Sequence, residues 1–566
     1  MKAFTIIAGV MSAAAQFVPM PTDLDTTTGN GYPVRYKEVP AGICETVEGV
    51  RSFSGYVDVE DNQHLFFWLF EARNQDPTAA PLTLWLNGGP GDPSMVGLFS
   101  ENGPCWVDYE GNVQRNDYSW TNASNVLFID QPAGTGFSYT DIVNGYIDEA
   151  GYLVTLPEAS CPDYANAESC GTWSSSNASE TVNNTLSAVP YIWQALAGVT
   201  GAFPQYSSNG IHVSTESYGG HYGPVLADYI LDKNADLPPG AETIALRSLT
   251  VGNGWFDPIT QFEAYYNFTI FPGNTYGFAP FNSTSEEQLY NALYGEGNCL
   301  DQLHDCNFGA QTDGTCSAAD NFCYDMVEYL YDTVTERDEY DLRQLMPNPF
   351  PYTAFVAYLN RADIQQAIGA STNFSYSVSN LGAGTVSTAF GTTGDDSRGF
   401  DIIAKNKRLV DEGVYVVHYA GDADYNCNWL GGESVAEQIA APDFGEAGYQ
   451  NFTTLTGDAE TVHGAVKQAG NYAFIRVYDS GHQVAFYKPQ AALTLFERTL
   501  KDSDIATGQE SIGLDSGGYR SIGPAKSEYQ NDPSQIQGEV IEAECTWDWK
   551  SNTAICPKTN PGNSWL

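Results

Sequence analysis

The sequence predicts an α/β fold with a mostly parallel central sheet that starts with antiparallel strands. Short apolar runs with the character of buried strands alternate with segments whose apolar residues recur at helical spacing. Most of the apolar runs end in loops that are rich in glycine and polar residues. In sheets of this kind ligands bind at the carboxyl ends of the strands, so these loops are the candidate site.

The first part of the chain supplies the antiparallel start and the first parallel strands. Residues 16 to about 50 contain several prolines and are predicted to be loop-like. Residues 54–59 and 65–70 are predicted to form a β-hairpin whose second strand is buried on both faces. Residues 82–86 and 126–130 are each predicted to be a further buried strand.

The later elements alternate between helices and strands. Residues 145–180 are polar and are predicted to be a surface excursion. The predicted helices cover residues 181–197, 224–231 and 489–500, and the predicted strands cover residues 211–213, 249–254, 414–419 and 473–477.

The predicted organisation is one core that is interrupted by an insertion. The core covers residues 16–255 and resumes over residues 351–500. Residues 256–350 hold four cysteines and many aromatic and polar side chains, and we expect them to form a cap or lid. Residues 501–566 are polar and are predicted to be a C-terminal extension.

The charge balance is strongly acidic. The 566 residues include 24 Lys and Arg against 70 Asp and Glu, a formal net charge of −46 at pH 7. This charge repels phosphate groups, which argues against nucleic acid and against an anionic membrane surface as partners. An acidic composition also suits acidic surroundings, because self-repulsion falls as carboxylates become protonated.

Several features predict a secreted protein, with a vacuolar or lysosomal-type compartment as the alternative. Residues 1–15 resemble a signal peptide, with a lysine, a short apolar run and small residues up to Ala15. No later run approaches the roughly 18 apolar residues of a membrane helix, so we expect no membrane anchor. Eleven cysteines suit an oxidising compartment. Seven Asn-x-Ser/Thr sequons predict glycosylation at Asn122, Asn177, Asn183, Asn267, Asn282, Asn373 and Asn451.

Residues 213–220, Val-Ser-Thr-Glu-Ser-Tyr-Gly-Gly, place Ser217 between an apolar strand and a helix-compatible run. This is the context of a nucleophile elbow, in which a tight turn lifts one hydroxyl clear of the sheet. Gly219 provides the small residue two positions later, whereas Thr215 stands where the generic motif has glycine. Taken alone, the turn is more typical of an ordinary strand-to-helix connection than of a nucleophile. Residues 87–91, Asn-Gly-Gly-Pro-Gly, offer bare backbone N–H groups of the kind that an oxyanion site uses.

A serine hydrolase of this type needs an acid and then a histidine later in the chain. Asp422 and Asp424 both follow a predicted strand, and either can orient an imidazole. His482 lies in a glycine-containing loop just after the next strand and is the preferred base. His463, in a polar stretch, is the weaker alternative.

Four motifs together resemble the serine carboxypeptidases, α/β-hydrolase peptidases that are secreted or vacuolar. They are Trp-Leu-Asn-Gly-Gly-Pro-Gly at 85–91, Thr-Glu-Ser-Tyr-Gly-Gly at 215–220, Gly-Asp-Ala-Asp at 421–424 and Ser-Gly-His-Gln-Val at 480–484. The resemblance covers about residues 42–500, and the family accepts threonine at the position of Thr215. It implies the α/β-hydrolase fold and a peptide or protein substrate with a free C-terminus. We expect no cofactor and no metal.

The resemblance implies a catalytic role for each matched residue. Ser217 is the nucleophile, Asp424 the orienting acid and His482 the base, and Asp422 becomes the second choice for the acid. The backbone N–H groups of Gly89 and Tyr218 are the implied oxyanion donors.

The resemblance also implies a site for the terminal carboxylate of the substrate, at Trp85, Asn87, Gly88 and Glu216. An ionised Glu216 would repel this carboxylate, so Glu216 must be protonated to share a hydrogen bond with it. We therefore expect peptidase activity to be favoured at acid pH.

The family pattern further implies nested disulfides in the cap. These nested pairs are Cys299–Cys323 and Cys306–Cys316. Cys161–Cys170 and Cys545–Cys556 are expected as local pairs, and Cys44–Cys105 is the pair that remains. Cys427 is then free, and by resemblance it lines the active site.

The predicted function is a serine-type carboxypeptidase that acts at acid pH through an acyl-enzyme. An acyltransferase or esterase on the same fold is the alternative, which the pair Asn87 and Glu216 disfavours. A non-catalytic secreted glycoprotein is a third possibility, and the presence of Ser217, Asp424 and His482 together argues against it.

Overall fold

The computed structural model describes residues 16–237, 243–270, 273–376, 383–456, 459–512, 518–541, 545–548 and 553–555. The predicted signal peptide, residues 1–15, lies outside the described residues, and so does Cys556.

The strands are β1 (Asp25–Gly29), β2 (Tyr32–Glu38), β3 (Ser52–Glu60), β4 (Gln63–Phe70), β5 (Leu82–Leu86), β6 (Cys105–Val107), β7 (Val113–Arg115), β8 (Asn125–Ile129), β9 (Ile142–Ile147), β10 (Leu153–Leu156), β11 (Cys170–Ser174), β12 (Ile211–Glu216), β13 (Leu246–Gly252), β14 (Arg337–Asp338), β15 (Asp341–Leu345), β16 (Tyr415–Gly421), β17 (Gln450–Thr456), β18 (Ala459–Ala469), β19 (Tyr472–Val477), β20 (Thr546–Asp548) and β21 (Thr553–Ile555).

The helices are α1 (Met95–Ser100), α2 (Thr185–Ala202), α3 (Gly219–Ala235), α4 (Pro258–Thr269), α5 (Ser283–Tyr294), α6 (Cys299–Phe308), α7 (Asp313–Cys323), α8 (Tyr329–Thr335), α9 (Phe355–Leu359), α10 (Ala362–Ile368), α11 (Ala383–Gly391), α12 (Ile402–Asp411), α13 (Trp429–Ile439), α14 (Val484–Tyr487) and α15 (Pro489–Leu500). A π-helical segment, Tyr324–Glu328, joins α7 to α8.

A 12-stranded sheet forms the centre, in the order β1-β2-β3-β4-β8-β5-β12-β13-β16-β19-β18-β17. The six strands from β8 to β19 run parallel to one another. The strands on both flanks pair antiparallel. The predicted α/β fold with a parallel centre and an antiparallel start is therefore confirmed, and the hairpin β17–β18 adds a second antiparallel flank.

The prediction that residues 16 to about 50 are loop-like is wrong, because β1 and β2 lie in this segment. In β2 only Val34 is fully buried, and β1 is mostly exposed. β1 is the edge strand of the sheet and β2 is its neighbour, and strands this exposed show little apolar alternation, so hydrophobic patterning misses them. Strands β17 and β18 were not predicted either, and the first half of β18 is exposed.

Strand β4 shows how the sheet is covered on both faces. Leu65, Phe67 and Leu69 pack into the hydrophobic cluster that also contains residues of α2 and α3. Phe66 and Trp68 point to the opposite cluster, which includes α1 and α9. This alternation confirms the prediction of a strand that is buried on both faces.

The segment predicted to be a cap contains helices α4 to α8 and the hairpin β14–β15. Helix α4 packs on α13, which anchors the segment to the core. The nested disulfides Cys299–Cys323 and Cys306–Cys316 join α6 to α7. Two further disulfides are Cys44–Cys105 and Cys161–Cys170. Cys545 is disulfide-bonded, and its predicted partner Cys556 lies outside the described residues.

Part of the C-terminal extension contacts both the core and the cap segment. The Tyr529 ring stacks on Tyr478 with a centroid distance of 3.7 Å. Asn531 donates through Nδ2 to Asp479 Oδ1 at 2.9 Å, just after β19. The backbone N–H of Gln537 donates to the Arg343 carbonyl of β15 at 2.8 Å. These contacts tie the loop that carries His482 to the cap segment.

The sequons differ in their accessibility. Asn177, Asn183, Asn267, Asn282 and Asn451 are exposed, and Asn122 is half-buried. Asn373 is buried, and its Nδ2 donates to the Gln16 carbonyl at 2.7 Å. A glycan cannot be accommodated on a buried, bonded amide, so the predicted glycosylation at Asn373 is incompatible with this structure. None of the described helices is both long enough and apolar enough to cross a membrane.

Candidate active site

The candidate residues gather at one edge of the sheet. The neighbouring parallel strands β5, β12, β13, β16 and β19 all end there. The loops that follow these strands carry Asn87, Ser217, Asn253, Asp424 and His482 in turn. Side chains that are far apart in sequence are thus brought together by the order of the strands.

Ser217 occupies a strained turn between β12 and α3. Its φ angle is +62°, a left-handed conformation that non-glycine residues adopt only when the surroundings impose it. The Ser217 carbonyl accepts a hydrogen bond from the backbone N–H of Trp255 at 2.8 Å. A side chain at Gly219 would clash with Thr215, and one at Gly220 would clash with the backbone of Trp255. These glycines allow the tight elbow that the sequence predicted.

His482 and Asp424 form a buried pair. The His482 Nδ1 atom lies 2.7 Å from Asp424 Oδ2, so Nδ1 carries the hydrogen and Nε2 is left to accept a proton. Asn253 Nδ2 donates to the same Asp424 oxygen at 2.7 Å. Burial opposes protonation of His482, but the carboxyl groups around it, Asp424 first and then Glu101 and Asp92, together raise the pKa of His482. This environment suits an imidazole that must become positively charged during a reaction.

The two alternative residues lie in other networks. Asp422 accepts hydrogen bonds from Tyr276 Oη at 3.1 Å and from the Asp479 backbone N–H at 2.9 Å, not from His482. His463 lies on β18, where its Nε2 pairs with Thr454 Oγ1 at 2.7 Å. The geometry therefore favours Asp424 and His482.

The glycine-rich loop after β5 packs directly against the elbow. A side chain at Gly88 would clash with the backbone nitrogen of Tyr218 and approach Ser217. Gly89, with φ of +108°, lines one cavity together with Ser217 and Tyr218. The Tyr218 side chain is held in turn, because its hydroxyl donates to the buried carboxylate of Asp395. The two predicted oxyanion donors thus belong to neighbouring, tightly packed backbone segments.

Asn87 is oriented by its neighbours. Its Oδ1 accepts from Trp85 Nε1 at 2.8 Å and from the Gly97 backbone N–H at 3.0 Å. The amide nitrogen is consequently free to donate, and it contacts the carboxyl group of Glu101. Trp85 is fully buried and its indole N–H bonds Asn87, so it supports the orientation of Asn87.

Glu216 is 2% exposed, and its carboxyl group shares a hydrogen bond with that of Glu101. Burial, and then the negative charge of Glu101, raise the pKa of Glu216 well above its usual range. Burial likewise raises the pKa of Glu101. Two carboxyl groups this close cannot both ionise, so the pair retains a proton.

Two residues of this site were missed by the sequence analysis. Glu101 follows helix α1, not a strand end, and nothing in its local sequence points to a site. Asn253 directly follows β13 and was detectable as a polar residue at a strand end.

Cys427 has no disulfide partner and is buried. Its Sγ lies within 4.8 Å of ligand atoms of both Asp424 and His482, and it lines the same cavity as Ser217. Burial raises the pKa of the thiol well above its usual range, so Cys427 is neutral and unsuited to act as a nucleophile.

The sheet order, the elbow and the His482–Asp424 pair place the chain among the α/β-hydrolases. Residues 42–502 match the family model described as serine carboxypeptidase, and the chain belongs to this family of hydrolases. It is 36% identical to carboxypeptidase S1 homolog B of Arthroderma otae, over 92% of this chain and 85% of the relative. It is 35% identical to carboxypeptidase S1 of Penicillium janthinellum, over 82% of this chain and 99% of that protein.

A solved structure shows the same fold. The prohormone-processing carboxypeptidase Kex1(delta)p of Saccharomyces cerevisiae superposes with a TM-score of 0.65. The likeness covers 84% of this chain and 97% of that chain at 21% sequence identity.

Proposed function

We propose that this carboxypeptidase removes single C-terminal amino acids from peptides through a Ser217–His482–Asp424 triad. Ser217 Oγ attacks the carbonyl carbon of the last peptide bond while His482 Nε2 takes the hydroxyl proton. The imidazolium then gives this proton to the amine of the departing amino acid, and an acyl-enzyme remains. Water repeats the sequence, with its proton passing to His482 and then back to Ser217.

The backbone N–H groups of Gly89 and Tyr218 would stabilise the negative oxygen of each tetrahedral intermediate. Fixed backbone donors need no rearrangement during the reaction, which is why tight packing of the two loops favours this role. Asp424 would hold the His482 ring in the required tautomer and balance its positive charge.

The observation that carries the exopeptidase specificity is the buried Glu216–Glu101 pair beside Ser217. A pair that retains a proton can donate it to the terminal carboxylate of a peptide, with Asn87 and the Gly88 backbone as neighbouring donors. An amide or an ester at that end lacks the acceptor charge. The substrate is thereby positioned with its last peptide bond at Ser217.

Two titrations should limit the activity on peptides. Loss of the proton from the Glu216–Glu101 pair at high pH places a negative charge against the carboxylate of the substrate. Protonation of His482 at low pH removes the base. Glu101 and Asp92 both contribute to the raised pKa of His482, and the pKa of each carboxyl is itself raised by burial. When Glu101 and Asp92 become protonated in acid, their negative charges no longer raise the pKa of His482. More of the imidazole then stays neutral and able to act as the base.

We also propose that the protein enters the secretory pathway and is secreted. The predicted signal peptide, the disulfides and the exposed sequons support this location.

A paired assay tests the proposed function. An N-blocked dipeptide is offered with a free C-terminal carboxylate and as its amide, at about pH 4.5 and about pH 8. We expect the free acid to be cleaved, mainly at the lower pH, and Ser217→Ala to be inactive. Equal turnover of both forms at both pH values would contradict carboxylate recognition and favour the esterase or acyltransferase alternative.

A further inference from the structure

The chain turns at Asp479, between the end of β19 and the loop that carries His482. Strand β19 ends at Val477, and His482 follows Asp479 within the same loop. The φ angle of Asp479 is +53°, a left-handed conformation that is uncommon for residues other than glycine. The direction in which this turn sends the chain determines where the His482 ring can lie.

The backbone of Asp479 is bonded to two other segments of the site. Its N–H donates to Asp422 Oδ1 at 2.9 Å, in the loop that also carries Asp424. Its carbonyl accepts from Arg343 Nη1 at 2.9 Å, and Arg343 lies on β15 of the cap segment. The turn is therefore joined to the loop of the orienting acid and to the cap segment at the same time.

The carboxylate of Asp479 is held mainly by the C-terminal extension. Asn531 Nδ2 and Gln535 Nε2 each donate to Asp479 Oδ1 at 2.9 Å, and Lys488 Nζ lies 3.6 Å from Oδ2. Burial opposes ionisation, but Lys488 and the two amide donors, with Arg343, together lower the pKa of Asp479 below its ordinary value. The carboxylate therefore stays charged in mild acid and continues to accept these bonds.

Asn531 is itself fixed by the cap segment. It is 4% exposed, and its backbone N–H donates to the Thr275 carbonyl at 2.8 Å. Thr275 Oγ1 donates in turn to Asn531 Oδ1. The amide of Asn531 thus uses its oxygen on the cap segment and its nitrogen on Asp479. A side chain that is bonded at both ends restrains the two segments relative to each other.

We propose that Asp479 is a positioning residue for His482. The C-terminal extension supplies the donors, Asn531 and Gln535, that hold its carboxylate, and Asp479 acts through the backbone of its loop. This inference rests on the proposed function, since it assumes that His482 is the catalytic base. Both donors lie beyond residues 42–502, the part of the chain that matches the family model, so this support is an addition to the shared fold.

Two substitutions separate the backbone of Asp479 from its side chain. Asp479→Gly keeps the left-handed backbone but removes the carboxylate, and we expect it to lower kcat on a free-acid peptide by about tenfold. Asp479→Asn keeps an oxygen for both amide donors, so its kcat should stay within about threefold of the wild-type value. KM should change by less than about twofold in both variants, because the carboxylate site is untouched.

The extension is tested from its own side. Asn531→Ala removes one donor and should lower kcat by roughly three- to fivefold. In the Asp479→Gly background the same substitution should have a smaller effect, because its partner is already absent, and this double-mutant cycle isolates the contact.

Ser534→Ala is the matched control. Ser534 lies in the same short 3-10 helix as Gln535 and is exposed, and its backbone N–H bonds Asp532. Its hydroxyl does not hold Asp479, so its loss should leave kcat unchanged.

The outcomes separate this inference from the proposed function. Each kcat is divided by the concentration of sites that a fluorophosphonate labels to completion, so unfolded protein does not lower it. A wild-type protein that neither labels at Ser217 nor cleaves peptides would contradict the proposed function.

An active wild type, with unchanged kcat per labelled site in Asp479→Gly and Asn531→Ala, would overturn only the positioning role. Should Asp479→Gly fail to fold, unchanged values in Asn531→Ala and Gln535→Ala would overturn it equally. A loss in Asp479→Asn as large as that in Asp479→Gly would overturn the role of the two amide donors.

Discussion

The two sides of Ser217 differ in where their residues come from and in how their carboxyl groups are satisfied. On the carboxylate side, Glu216 and Glu101 are bonded to each other and lie beside Asn87, all within the core. In the cavity beside Ser217, the acidic residues Asp320, Glu328 and Glu339 come from the segment predicted to be a cap and Asp396 from the core, with Asn426 as the amide between Glu328 and Glu339. The carboxyl groups of Glu216 and Glu101 satisfy each other by a hydrogen bond. The carboxyl groups of the cavity have no Lys, Arg or His beside them in the described lining.

This difference fits the role proposed for the Glu216–Glu101 pair, which is to hold a group that all peptide substrates share. Recognition of a terminal carboxylate needs the same donors for every peptide, so a rigid, prearranged pair is suitable.

The largest expected effect comes from the core side, on the residue that orients the base. Asp424→Asn should lower kcat by about 10⁴-fold, because the amide favours the wrong tautomer of His482. Asp422→Asn is the matched comparison, since Asp422 does not bond His482. We expect a much smaller loss of kcat from folded Asp422→Asn protein. Equal losses in both folded variants would remove the distinction between the two aspartates.

A second test addresses the protonated pair on the carboxylate side. Glu216→Gln retains a hydrogen-bond donor but cannot ionise, so the alkaline decline of kcat/KM on peptides should move to higher pH. Glu216→Ala removes the donor and should raise KM by roughly 10- to 100-fold. The readout is the pH profile with a free-acid peptide, with the amide of the same peptide as reference. An unchanged alkaline limb in Glu216→Gln would show that another group controls it.

A third test compares the two sides through stability. Burial first, and then neighbouring carboxylates, raise the pKa of Asp320 from 3.8 to about 7 and that of Glu339 from 4.5 to about 8. These groups bind protons more tightly in the folded chain, so their stabilisation is present below the unfolded pKa and is lost as pH rises through the folded pKa. The melting temperature should fall between pH 5 and pH 8, and Glu339→Gln should flatten this fall by a few degrees. If Glu339→Gln melts with the same pH dependence as the wild type, Glu339 does not have a raised pKa in the folded protein.

The smallest effect is expected at Cys427, which lines the cavity beside Ser217 and lies near His482. Its thiol is neutral and carries no proposed chemical role, so Cys427→Ser should change kcat/KM by less than about threefold. A mercurial should inhibit the wild-type enzyme by filling space near His482 and should leave Cys427→Ser active. Inhibition of both proteins would place the reactive thiol elsewhere.

The sequence predicted the catalytic residues best, because each of them lies in a short loop with a recognisable local pattern. Ser217, Asp424 and His482 each sit in a short loop after a buried strand, and such loops carry recognisable glycines and polar residues. The apolar runs likewise predicted β4, β5, β8 and the later parallel strands. The outermost strands β1 and β17 and their neighbours β2 and β18 were missed, and the exposed positions of β1, β2 and the first half of β18 give little apolar signal.

The acidic lining of the cavity could not be predicted from the sequence, because no local pattern marks its residues. Asp320, Glu328, Glu339 and Asp396 are ordinary acidic residues in an acidic chain until the packing of four segments brings them together. Glu101 was missed for the same reason, since its partner Glu216 is distant in sequence. Burial of Asn373 was equally invisible, because a sequon is a local motif and burial is not.

The most direct test of the account is to label the folded enzyme with a fluorophosphonate and to map the adduct by peptide mass spectrometry. We predict one adduct, on the peptide that contains Ser217, and its loss in His482→Ala. An adduct on another residue, or no adduct on folded wild-type protein, would contradict the assignment of Ser217 as the activated nucleophile between these two sides.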